Sequence, residues 1–168
     1  MRWQGTAWRA HHPRWSWAPL SGEGAALKGG RFNPVGVPAL YLALSIEGMW
    51  IEMGHGFAHR LDPLTVCSYE VDVDGIIDLR EPAGVTLAEM ACPWALDRAE
   101  GRKPASWGLA QRLIADGASG ILAPSFAHQA RPEMTNLVLW RWGPEPPHKV
   151  TVHDPSGRLP RNDLSWRS

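Results

Sequence analysis

An arginine behind two glycines, and a carboxylate set among large apolar side chains farther along, are the first places where this sequence offers chemistry. Gly29 and Gly30 allow backbone angles that other residues resist, and they let a ligand come close to the main chain. Arg31 adds a planar fork of donors suited to a pyrophosphate or a carboxylate. An exposed turn arginine would carry the same tripeptide, so this feature alone leaves both readings open. Glu52 has Met49, Trp50, Ile51 and Met53 as neighbours. It lies either at the solvent edge of an amphipathic helix or turned into a pocket. Ser125, after Pro124 at the end of an apolar run, could cap a corner or touch a ligand. The chain has no G-x-G-x-x-G and no G-x-x-x-x-G-K-[ST], so neither phosphate-cradling loop is available.

A metal is the alternative for the same segment. Glu52, His55 and His59 fall on one helical face, and His55 with His59 forms an i, i+4 pair suited to zinc. Gly56 stands where a metalloprotease helix of the H-E-x-x-H type needs a glutamate. Gly54 and Gly56 weaken a helix there, and no other His or Cys cluster completes a site. The sequence reads as metal-free.

The elements that must position these residues follow from pattern. A strand is expected over 6–10, then a loop-like stretch over 11–28, turns over 29–34 and 35–38, and a buried strand over 39–43. Ser45 caps a helix that carries Glu47 and Glu52 and is predicted to run to about His59. Strands are expected over 64–73 and 76–79. A short helix over 86–91 takes Thr86 as its cap. Ser106 caps a further helix whose Trp107, Ala110, Leu113 and Ile114 share a face, with Gly117 as its stop. Strands over 120–125, 136–142 and 149–153 complete the pattern. The polar tail from Asp154 is expected to fray unless Trp166 docks it. Strands outnumber helices without alternating with them, which predicts an α+β fold.

Composition sets the frame. The 168 residues suit one domain, with a core over about 6–153 and a tail over 154–168. Hydrophobic residues make up 44% of the chain, which argues against disorder. Seventeen basic and seventeen acidic residues cancel, which removes the simplest electrostatic case for binding nucleic acid directly. Cys67 and Cys92 form no disulfide framework and no metal spacing, and read as buried thiols in a reducing cytosol. No secretory signal is evident at the N-terminus, and no run of about 18 apolar residues suggests a membrane span. The expectation is a soluble, cytoplasmic protein. Ten tryptophans are present, with Trp3, Trp8, Trp15 and Trp17 crowding the start. They serve packing, or they wall a site for a ring-bearing ligand or a protein partner.

Read in order, the pieces fit a known pattern. Arg9 lies in a Trp-Arg-Ala strand; Gly-Gly-Arg-Phe-Asn-Pro occupies 29–34 and Ala-Leu-Tyr-Leu-Ala 39–43. Glu52 follows, then Pro124-Ser125, then Asn136-Leu137-Val138-Leu139. This order resembles the RES-domain family, named for an arginine, a glutamate and a serine that here match Arg31, Glu52 and Ser125. The resemblance spans residues 6 to 142, with 29–52 its most specific part. Phe32 departs from the tryptophan common at its position but keeps an aromatic ring. The Trp-rich N-terminus is most similar to the ParT-type branch.

The resemblance implies an ADP-ribosyltransferase-like fold, with mixed or antiparallel sheets forming an NAD+ cleft between flanking helices. It implies a toxin of a bacterial toxin–antitoxin pair, held in check by a cognate antitoxin of the ParS or Xre kind. NAD+ would be the substrate and its nicotinamide–ribose bond the one cleaved. ADP-ribose would pass to a cellular protein, as in a mono-ADP-ribosyltransferase, or alternatively to phosphate or water. Glu52 and Arg31 would be catalytic, and Arg9 and Arg31 would clamp the phosphates. Tyr41 would stack on nicotinamide, and Ser125 and Asn136 would bond its amide or a ribose. Ser106 also matches a recurring family serine and is read as a helix cap. A phosphate acceptor would need a further basic residue, with Lys28 and Arg80 as candidates. A non-catalytic binding module is a third reading.

Overall fold

Alternating side chains build one mixed sheet, described here from a computed structural model over residues 1–54 and 62–167. Its strands are β1 (Trp3–His11), β2 (Leu40–Ala43), β3 (Thr65–Val73), β4 (Ile76–Asp78), β5 (Gly120–Pro124), β6 (Thr135–Leu139) and β7 (His148–Val152). They lie in the order β4-β5-β6-β2-β1-β3-β7. Only β4 and β5 run parallel; the other neighbours are antiparallel. Because successive side chains point to opposite faces, Leu40, Leu42, Leu137 and Leu139 join Tyr69 and Val71 in one cluster. Ile121, Ala123 and Val138 point the other way, into a second cluster.

The two faces are covered differently. Leu20 from the segment after β1, and Leu159 from the tail, pack on the first face. Helices α3 (Gly84–Met90) and α5 (Ala105–Ala115) bring Met90 and Leu109 to the second. Helix α2 (Ile46–Glu52) sets Met49 against Ala10 and Ala43. Two further short helices are α1 (Glu23–Lys28) and α4 (Trp94–Ala99). The arrangement is α+β, as the strand-rich pattern predicts.

One seam in the sheet positions everything that follows. β1 and β3 are in register along their whole lengths, from Trp3 opposite Val73 to His11 opposite Thr65. β1 and β2 pair at Trp8 and Ala43. Beyond that pair the strands part, and Arg9 and Ala10 face Tyr41 and Leu42 across an open cleft.

Several local expectations change. The stretch over 11–28 contains a 3-10 turn at Pro13–Trp15 as well as α1. Ser45 does cap α2, accepting a bond from the Gly48 amide at 2.9 Å. That helix stops at Glu52, short of the predicted end, because Gly54 turns the backbone to a φ of 70°. His55 and His59, and with them the zinc alternative, lie outside the described residues. Thr86 sits inside α3, whose cap is Ala83. Ser106 is inside α5, capped by Pro104, and is fully buried. The strand expected over 136–142 ends at Leu139. The tail is docked: the Asp154 carboxylate accepts from the Arg158 and Leu159 amides at 2.8 and 3.0 Å. Trp166 then meets His12 edge-on at 5.3 Å. Cys67 and Cys92 are free, buried thiols.

Candidate active site

The turn that carries Arg31 is tied from four directions. Asn33 is fully buried and its amide donates to the carbonyls of Ala25 at 2.9 Å and Val37 at 2.8 Å. The Tyr41 hydroxyl donates to Asn33 Oδ1 at 2.7 Å and accepts from the Phe32 amide at 3.0 Å. Two indoles close the frame, Trp107 donating to the Gly30 carbonyl at 2.7 Å and Trp140 to that of Phe32 at 2.9 Å. Gly30 admits no side chain, since a Cβ there would lie 2.6 Å from both Tyr41 Oη and Asn33 Oδ1. Gly29 takes a φ of 71°, in the region that favours glycine.

So framed, the turn aims Arg31 into the cleft. Its Nη1 donates to the Met90 and Cys92 carbonyls at 2.9 and 2.8 Å, and its guanidinium lies 4.8 Å from the Phe126 ring centre. Burial pushes the Arg31 pKa down, opposed by the nearby Cys92, Glu52 and Tyr41. The guanidinium nonetheless stays charged, because its reference value is so high. Burial pushes the Tyr41 phenol up, so it remains protonated and keeps both of its turn bonds.

Glu52 faces the same cleft from the end of α2. Its Oε1 accepts from Asn136 Nδ2 at 2.6 Å and from the Ser125 hydroxyl. Ser125 is itself placed by its amide, which donates to the Met134 carbonyl at 2.8 Å. Among the described residues, Oε2 of Glu52 takes no hydrogen bond. The loop after Ser125 is joined to α2 by Arg131, whose Nη1 and Nη2 donate to Glu47 at 2.5 and 2.6 Å. That pair is exposed and contributes little by itself.

The cleft has a volume of about 430 Å³, and Arg9, Arg31, Tyr41, Glu52 and Asn136 all line it. Ser125 joins them through Glu52. Arg9 reaches it from β1, its Nη1 held at 3.2 Å by the Pro19 and Ser21 carbonyls. Lys28 lines the cleft too, whereas Arg80 does not and is paired with Asp78. Ser106 stands one step behind, with Cys92 Sγ donating to its hydroxyl at 3.4 Å while the Cys92 carbonyl holds Arg31. Among the described residues no group of three or more His, Cys, Asp or Glu could hold a metal.

Sequence reasoning missed Asn33, Phe126 and the indoles of Trp107 and Trp140. The Asn-Pro step after Arg31 is a turn signal that could have pointed to Asn33. The other three contacts join residues far apart in the chain, and nothing local announces them.

The family model of the RES domain matches residues 6–162. Among solved structures, the chain is similar to one in the M. tuberculosis MbcT-MbcA toxin-antitoxin complex. The TM-score is 0.55 at 21% identity, covering 92% of this chain and 84% of that one. At that identity the likeness is one of fold. No curated protein sequence matches.

Proposed function

The chain belongs to the RES-domain family, and from that premise we propose that it is the toxin of a toxin–antitoxin pair that splits NAD+. The cleft binds the dinucleotide, breaks its nicotinamide–ribose bond and passes ADP-ribose to a cellular protein. The observation that carries this reading is the pairing across one cleft of a half-buried, framed cation with a carboxylate that, among the described residues, is bonded at one oxygen.

The chemistry follows from those two groups. When the bond breaks, its electron pair leaves on the nicotinamide nitrogen, and positive charge grows on the ribose as in glycoside cleavage. Ser125 and Asn136 fix Oε1 of Glu52, so Oε2 is oriented in advance to hold a ribose hydroxyl and face that charge. Arg31 keeps Nε and Nη2 for a phosphate while Nη1 anchors it, and Arg9 opposes it across the cleft. The Tyr41 ring is left as a wall for nicotinamide, since its hydroxyl serves the turn. The leaving group is already cationic, so the chemistry calls for no metal. A cognate antitoxin would check the activity in the cell, by analogy with the complex whose toxin shares this fold.

A second reading sends ADP-ribose to phosphate or water. It is favoured by Lys28, the extra cation lining the cleft. Purified protein incubated with NAD+, with and without phosphate and cell extract, separates the readings. Transfer predicts nicotinamide release that depends on extract, with label from the adenylate half retained on a protein. Rapid release with phosphate or water alone overturns transfer in favour of the second reading. No release under any condition overturns both.

A further inference from the structure

The cleft does not end at Arg9. A second cavity of about 580 Å³ opens beyond it, on the face of the sheet that the segment after β1 covers. Arg9 and Gly24 line both spaces. His11, two residues on from Arg9 and on the same face of β1, lines the second one. It is only 8% exposed, and among the described residues neither of its ring nitrogens has a hydrogen-bond partner. A buried polar group left so costs free energy, and such groups in native folds call for an explanation. Trp15 and Trp17 supply indole walls and are 52% and 40% exposed.

Resting on the reading of the first cleft as a dinucleotide site, we infer that this second cavity holds the purine nucleoside end of the dinucleotide, bonded by His11 and stacked on Trp15 or Trp17. The phosphates lie at the middle of a dinucleotide. A cation that clamps them therefore has one nucleoside on either side, and on the far side of Arg9 from Glu52 lies this cavity. Its volume is in the range of small-molecule sites. Burial, with Arg9 close by, lowers the His11 pKa to about 4, so its ring is neutral near pH 7. A neutral imidazole offers one donor and one acceptor on diverging sides of its ring, so one of its nitrogens suits either the amino group or a ring nitrogen of adenine. Exposed indoles suit its π-face, as single bases stack on aromatic side chains elsewhere.

The test uses AMP, which carries the purine and a phosphate but no nicotinamide, titrated by calorimetry into the full chain. The expected result is that wild type binds AMP, while His11→Leu and Trp17→Ala each weaken it at least fivefold. Trp17 is exposed, so that variant keeps the test valid should His11→Leu fail to fold. Wild type failing to bind AMP, or Trp17→Ala and a folded His11→Leu binding it as well as wild type does, overturns the inference. Nicotinamide release from NAD+ is measured alongside. Its absence in a wild type that binds AMP counts against the proposed reaction and leaves the purine site standing.

Discussion

Arg31 and Glu52 share a cleft, yet they are held there by opposite means. Arg31 sits on a turn enclosed by Asn33, Tyr41, Trp107 and Trp140, and its guanidinium is partly buried on Phe126. Glu52 ends a seven-residue helix, is exposed, and owes its aim to two polar side chains from β6 and the end of β5. The cation is fixed by backbone and packing, so its position is a property of the fold. The carboxylate is fixed by hydrogen bonds to one oxygen, so its position can change without unfolding anything. Under the proposed function, binding and reaction fall to regions of different local stability.

The contrast can be broken by mutation. The largest effect is expected at Glu52→Gln, where nicotinamide release should fall by about 10²- to 10³-fold, the range for losing one preorganised electrostatic contact. Its thermal midpoint should stay near that of wild type, and a large drop would show the carboxylate to be structural after all. Asn33→Ala should behave in the opposite way. It strands buried carbonyls and the Tyr41 hydroxyl, so stability measured in urea should fall by about 2–4 kcal/mol, with NAD+ affinity lost in parallel. Smaller again is Ser125→Ala, which leaves Asn136 to orient Glu52. A fall in kcat of about tenfold with little change in KM is expected from steady-state assays, and an equal rise in KM would make Ser125 a binding residue.

A prediction of another kind concerns the covered face beneath Arg9. The His11 pKa is depressed in the folded state to about 4 from an ordinary 6.5, by burial first and Arg9 second. Between those values the unfolded chain binds the extra proton and the folded chain does not. Stability should therefore be full above about pH 6.5 and decline as pH falls toward 4. Urea midpoints across that window should show the decline in wild type and a smaller one in His11→Leu.

How far the sequence could be read depended on the range of the interaction that sets each feature. Leu40, Leu42, Leu137 and Leu139 declared strands because the alternation is local and repeated. Ser45 declared its helix because a cap acts over three residues. The six-residue helices α1 and α4 gave no such signal: neither has a side-chain cap bond. Thr86 and Ser106 looked like caps, but Ala83 and Pro104 hold those positions, since where a helix starts depends on the chain before it. In the site, Glu52, Ser125 and Asn136 meet through hydrogen bonds that no local pattern announces. The anchoring of Arg31 was out of reach, because Trp107 lies 77 residues from the Gly30 carbonyl it holds.

The parting of β1 from β2 has a mechanical meaning. Strands β1, β3 and β7 form one plate and β4, β5, β6 and β2 another, and the seam between them is riveted at Trp8 and Ala43. Arg9 belongs to the first plate, Tyr41 and Asn136 to the second. Whatever molecule grips both sides at once becomes a second fastener across the joint. The occupied protein is then the stiffer one, and its substrate is for a moment part of its framework.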